Sequence, residues 1–134
     1  MDDIFVARIM STSLRTVSSD ALVEDAAQLM LENDIGSVIV TDSEGGLEGI
    51  LTTTDFVRIV AERKPKDQTP VSTYMSRDLT TVTAQDSIRD AADVMVENGF
   101  HHLPVVDEEE GVIGIVTTSD LAMYISHEEV SKPA

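Results

Sequence analysis

The chain contains no cysteine. That absence excludes disulfides, thiolate metal sites and a cysteine nucleophile. It also has no apolar run near the roughly 18–20 residues that a membrane-spanning helix requires. Its opening residues, Met1-Asp2-Asp3, are acidic, where a secretory leader would place basic charge before an apolar stretch. These features lead to the expectation of a soluble cytoplasmic protein, away from membranes. Lysine is scarce, with Lys64, Lys66 and Lys132 the only three. Basic charge of any kind is outnumbered, with 9 Lys and Arg against 25 Asp and Glu and a net charge of −16. Such a field repels nucleic-acid phosphates, so no nucleic-acid partner is expected. High acid with little lysine is the pattern of proteins from salt-loving microbes, and a halophilic source is the expectation it raises. Apolar residues still make up 42% of the 134, enough for a folded core within one compact domain or two small units.

The chain repeats itself. "GILTTTDF" begins at Gly49 and "GIVTTSDL" at Gly114, 65 positions later. The same offset aligns residues 6–56 with 71–121 without a gap, through Met10/Met75, Ser11/Ser76, Thr16/Thr81, Met30/Met95, Asn33/Asn98, Val40/Val105 and Asp42/Asp107. A match of this length indicates two copies of one supersecondary unit. In each copy a segment ending in Met-Ser is followed by a brief β stretch, "LRTVS" or "LTTVT". An amphipathic helix follows, with apolar positions Val23, Ala26, Ala27, Met30 and Leu31 in the first copy. Ile88, Ala91, Ala92, Met95 and Val96 match them in the second. The spacing i, i+3, i+4, i+7, i+8 defines one helical face. Two strands then read as a hairpin, turning at Gly45-Gly46 or Glu109-Glu110-Gly111. A second helix opens near Asp55 or Asp120, with Phe56, Ile59 and Val60, or Leu121, Tyr124 and Ile125, on one face.

The order per copy is therefore β-α-β-β-α. The expected fold is α/β (α+β), two such repeats packed about a pseudo-two-fold axis, since one alone buries too little surface. We expect a first repeat at 1–62, a charged, Pro-bearing linker at 63–70, a second repeat at 71–127 and a tail at 128–134.

The repeated phrase carries the chemistry. A helix N-terminus presents unpaired N–H groups and partial positive charge. Hydroxyls at Thr52, Thr53 and Thr54 can donate to phosphate oxygens, and the Asp55 carboxylate can accept from both hydroxyls of a ribose. Thr and Asp are also ordinary helix caps, but capping alone requires no duplicated Thr pair and Asp.

The ordered set "VARIMS"/"VSTYMS", "GFHHLPVVD" and "GILTTTD"/"GIVTTSD" resembles the tandem CBS domain pair (cystathionine-β-synthase-type domains, or Bateman module) over residues 6 to about 126. The resemblance implies a non-catalytic regulatory module. It would sense an adenosine-containing ligand (AMP, ADP, ATP or S-adenosylmethionine), form a homodimer and modulate a partner protein. It also implies two clefts that mix the copies. One would comprise Thr52, Thr54, Asp55 and Arg58 with Leu79, Thr80, Thr81, His101 and His102. The other would comprise Thr117, Ser119 and Asp120 with Leu14, Arg15, Thr16, Gly36 and Ser37. The first copy departs from the pattern: Ile39 stands where Pro is typical, and Gly36-Ser37 where the second copy has its His pair. On this reading the cleft with the His pair and Arg58 holds the more phosphorylated ligand.

Three other functions compete. An enzyme would need a convergent acid–base or nucleophile set, yet adjacent residues such as His101 and His102 point to opposite faces of an extended segment, and no G-x-S-x-G occurs. No catalytic cofactor is expected. A metal-binding protein could use the His pair with Asp107–Glu110, but an acidic hairpin tip is ordinarily solvated surface. Mg²⁺ fits better as a bridge between nucleotide phosphates and the protein. A module that only dimerises or docks a partner is the remaining alternative.

Overall fold

The computed structural model describes residues 4–131. It divides into two compact units. The middle unit is Leu14–Leu79. The terminal unit joins the residues before Leu14 to those from Thr80 onward.

In the middle unit, β1 (Thr16–Ser18) runs parallel to β2 (Ser37–Thr41), which forms a hairpin with β3 (Leu47–Thr52). Helix α2 (Val23–Asn33) lies between β1 and β2 in sequence, and α3 (Thr53–Ala61) follows β3 directly. Helix α2 ends at Asp34, whose left-handed backbone (φ 52°) turns the chain back toward β2. In the terminal unit, α4 (Ile88–Asn98) precedes the hairpin of β4 (His102–Asp107) and β5 (Gly111–Thr117), and α5 (Thr118–Ser131) follows. The helix thus continues through residues 128–131, where a tail is expected, and residues 132–134 lie outside the described ones.

The β-α-β-β-α order holds in the middle unit. In the terminal unit the first strand shrinks to one parallel bridge, Val82 to Val105. The cause is visible in the sequence. Ile39 N–H donates to Arg15 O at 3.2 Å. Its counterpart Pro104 has no N–H to give, so the ladder toward Thr80 cannot form.

The Met-Ser segments are exchanged between the repeats. Met75-Ser76, which opens the second copy, packs on β3 of the first: Ile50 and Ser76 exchange backbone hydrogen bonds of 3.1 and 2.9 Å. Met10-Ser11, directly after α1 (Val6–Ile9), does the same on β5, where Ile115 and Ser11 exchange bonds of 3.0 and 2.8 Å. A Cβ at Gly49 would lie 2.8 Å from both Met75 Sδ and Ser76 O, and one at Gly114 2.9 Å from Met10 Sδ and Ser11 O. The glycine of the repeated phrase therefore admits the opening segment of the other copy. The same exchange ties the charged, Pro-bearing stretch to α2, whose Val23 N–H donates to Thr69 O at 2.9 Å. Nearby, the Tyr74 hydroxyl donates to Glu62 at 2.6 Å, a bond that raises the phenol to about 12.

Each unit has its own core. Val23, Ala26, Met30, Val38, Val40, Leu51 and Ile59 join Val71, Tyr74 and Met75 in the middle unit. Val82, Ala84, Ala91, Met95, Leu103, Val105 and Val116 join Val6 in the terminal one. Leu31 and Val96 are placed by their spacing on the core-facing side, but they are 77% and 83% exposed. The sheet contacts a narrow stripe at i, i+3 and i+7, and position i+8 falls beyond it.

Candidate functional site

Strand register decides which candidate residues meet. In the middle unit Ser37 pairs with Thr52 and Thr16 with Ile39. Because β1 and β2 are parallel and β3 antiparallel to them, three stretches share one end of the sheet. They are Leu14-Arg15-Thr16, Gly36-Ser37 and Thr52 through Asp55, with Arg58 one turn further on. In the terminal unit His102 pairs with Thr117, and Val82 bridges Val105. Thr80-Thr81, His101-His102 and Thr117 through Asp120 therefore share one end as well.

The reading by resemblance groups these residues across the copies, setting His101 and His102 with Asp55, and Leu14, Arg15, Thr16, Gly36 and Ser37 with Asp120. Within each unit, strand register places each set beside the Thr-x-x-Asp of its own unit. The physical reason is the hairpin: in two antiparallel strands joined by a short turn, the residue before the first must lie beside the residue after the second. Leu79, assigned with the His pair, falls in the middle unit, as its last residue.

The two helix starts are built alike. Thr52 and Asp55 form a capping box on α3, with Asp55 Oδ2 accepting from Thr52 N–H at 2.8 Å and lying 3.4 Å from the Thr52 hydroxyl. On α5, Asp120 Oδ2 accepts from Thr117 N–H at 2.8 Å, and Asp120 N–H donates to Thr117 Oγ1 at 3.1 Å. Thr53 N–H donates to Gly36 O at 3.2 Å, and Thr118 N–H to His101 O at 3.0 Å. The caps thus occupy part of what each helix N-terminus could offer an anion. The exposed residues Thr54 and Ser119 stand at the second helical position of each.

The electrostatics of the two ends differ. Asp55 is buried, at 3% exposure, and its Oδ1 lies 3.6 Å from Arg58 Nη1, whose side chain is largely exposed. Arg15 is exposed, and its Nε donates to Asn33 Oδ1 at 2.8 Å. Asp120 is half-buried, and Met123 stands at the position equivalent to Arg58. Burial and the neighbouring His101 lower the pKa of His102, and Asp120 partly opposes them.

An open depression of about 520 Å³ lies at the other end of the β4–β5 hairpin, lined by Thr83, Gln85, Val106, Asp107, Glu108 and Glu109. Its acidic lining repels phosphate, and it contains none of the paired Thr-x-x-Asp residues. Among the described residues no cluster of three or more His, Asp or Glu could hold a metal ion, and no helix is long and apolar enough to cross a membrane.

Comparison with known proteins agrees with this architecture. The CBS domain family model matches residues 6–62 and 71–127. The chain is 36% identical over 117 residues to an uncharacterized 17.7 kDa protein of Acidianus ambivalens, covering 87% of this chain and 70% of that one. It is 34% identical over 114 residues to the CBS domain-containing protein YhcV of Bacillus subtilis, covering 85% and 80%. Among solved structures, the CBS domain pair of protein MJ0100, in complex with 5′-methylthioadenosine and S-adenosyl-L-methionine, superposes with a TM-score of 0.86 at 26% identity, covering 92% of this chain and 97% of that one.

Proposed function

The chain belongs to the CBS domain family, with both of its repeats matched, and on that footing we propose that it is a non-catalytic regulatory module that binds adenosine-containing ligands and modulates a partner protein. The observation that carries this reading is the duplicated sheet end. In both units strand register assembles a pre-strand segment, a hairpin entry and a Thr-x-x-Asp helix start, all from residues distant in sequence. The complex of the MJ0100 domain pair with two adenosine derivatives supports the ligand class.

Each residue type has a task in this reading. Asp55 and Asp120 accept from ribose hydroxyls, each through the oxygen its cap leaves available and through the second lone pair of the other. Thr54 and Ser119 present hydroxyls beside the helix N-terminus. Leu14, Arg15, Thr16, Gly36 and Ser37 flank the base in the middle unit; Thr80, Thr81, His101 and His102 flank it in the terminal unit. Where the ligand carries phosphates, Mg²⁺ would bridge them. A thermal-shift panel with AMP, ADP, ATP, S-adenosylmethionine and 5′-methylthioadenosine in high salt tests the reading. At least one should raise the melting temperature with concentration, because a ligand that binds only the folded state stabilises it. No shift with any of them would leave the dimerisation or docking module as the better description.

The reading includes self-association. Val57 and Val60 on α3 are 68% and 77% exposed, and Met123 and Ile125 on α5 are 60% and 44% exposed. Apolar side chains presented by both equivalent helices favour burial against a second copy.

A further inference from the structure

We propose that Arg15 and Arg58 make the Thr52–Asp55 sheet end the phosphate-recognising one of the two, and that the Thr117–Asp120 end takes the nucleoside without a phosphate. This rests on the nucleotide-binding reading above and adds which residues set ligand charge. It keeps Arg58 in that role, adds Arg15, and takes it from the His pair, which the resemblance sets beside Arg58.

The argument compares equivalent positions. Arg15 corresponds to Thr80 and Arg58 to Met123, 65 residues on. The scaffold around the first pair is the same in both units. Asn33 and Asn98 each donate through Nδ2 to a helix carbonyl, Leu29 O and Val94 O, both at 2.8 Å. Among the described residues, Asn33 alone of the two then uses its Oδ1 to hold a guanidinium, that of Arg15. A neutral amide anchors Arg15 through Nε, so its charge is not cancelled by that bond and its two remaining nitrogens can face a ligand.

Arg58 lies over Asp55 at 3.6 Å with its side chain 61% exposed. That distance makes a loose pair, which leaves the guanidinium able to fork onto phosphate. Asp55 itself is committed through Oδ2 to Thr52 N–H. Asp34, exposed in the turn after α2, is a further acid at this end. This end of the sheet thus carries two permanently charged guanidiniums, Arg15 and Arg58, alongside the carboxylates of Asp55 and Asp34.

The other end has no Arg or Lys among Thr80–Thr81, His101–His102 and Thr117–Met123. Its fixed charge is the Asp120 carboxylate. A phosphate there would face that carboxylate in a chain of net charge −16, with no Arg or Lys in these segments to offset it.

The test is isothermal titration of AMP and of adenosine into the full chain at pH 8, in one fixed KCl concentration. Three forms are compared: wild type, Arg15→Gln/Arg58→Gln and His101→Gln/His102→Gln. Wild type should bind AMP more tightly than adenosine. The Arg variant should lose about tenfold to a hundredfold in AMP affinity, as expected for charge-assisted hydrogen bonds, with adenosine changed by less than about twofold. The His variant should keep its AMP preference. Arg15→Lys/Arg58→Lys should recover part of the preference, which distinguishes lost charge from a disturbed fold. An AMP preference that survives in the Arg variant, or disappears in the His variant, overturns the proposal. Equal binding of AMP and adenosine by wild type overturns it while sparing the nucleotide reading. Binding of neither removes both.

Discussion

Replacing Gly49 with alanine tests the exchange of the opening segments. The new Cβ would sit 2.8 Å from Met75 Sδ and 2.8 Å from Ser76 O. The sulfur could swing aside. The carbonyl could not, because Ile50 N–H holds it at 3.1 Å while Ser76 N–H holds Ile50 O at 2.9 Å. Overpacking of this kind costs about 1–3 kcal/mol. Loss of the two backbone bonds would add about 0.5–1.5 kcal/mol each. Opposing this, alanine restricts the unfolded chain and returns about 0.4–1 kcal/mol. The net expectation is a destabilisation of roughly 1–6 kcal/mol. Urea unfolding would register it as a midpoint lowered by about 1–2 M, for slopes of about 1–3 kcal/mol per M. A cycle with Met75→Ala should show coupling of about 0.5–3 kcal/mol, because the two changes share one contact. Gly114→Ala should behave alike, its Cβ meeting Met10 Sδ and Ser11 O at 2.9 Å. A Gly49→Ala protein as stable as wild type, or an additive cycle, would refute the claim that this glycine exists to admit residues 75 and 76.

Three further outcomes are expected. With net charge −16, melting temperature should rise with KCl from low salt to about 2 M as screening weakens self-repulsion; a flat or falling profile would count against it. His102 has its pKa lowered from 6.5, first by burial and then by His101, so it takes up a proton more readily unfolded than folded. Its contribution is therefore intact above pH 6.5 and lost as pH falls from there toward the lower folded value. His102→Gln should flatten the fall in urea midpoint between pH 7 and 5.5, and identical slopes would contradict the assignment. Light scattering in high salt should give twice the 14.5 kDa chain mass, with Val57→Glu/Val60→Glu driving it to the monomer; a wild-type monomer at micromolar concentration would end the dimer claim.

Much of the fold was legible because local chemistry and pattern agree. The duplicated phrase marks both strand-to-helix junctions, and the turn at Gly45 (φ 83°) and the cap at Gly99 (φ 70°) lie where glycine signals them. One kind of feature was not legible. Pairing between segments far apart in sequence leaves little local trace: Met10-Ser11 and Met75-Ser76 look like ordinary repeat openings until Gly49 and Gly114 are seen to leave room for them. Hairpin register, by contrast, was available from the sequence. Once "LPVVD" and "VIGIVT" form a hairpin, His102 must lie near Thr117. The short first strand of the terminal unit was also readable, because Pro104 lacks the N–H that Ile39 donates to Arg15.

The account turns on Asp55 and Asp120 as ligand acceptors at the two sheet ends, and one titration addresses that directly. Adenosine titrated into wild type and into Asp55→Asn/Asp120→Asn uses a ligand with the ribose and no phosphate. An Asn side-chain oxygen can still accept from Thr52 N–H or Thr117 N–H, so the caps persist while the charged acceptor is gone. The account predicts saturable binding to wild type, weakened on the order of tenfold or more in the double variant, with urea midpoints that stay close. Equal adenosine affinity in the two proteins would contradict it.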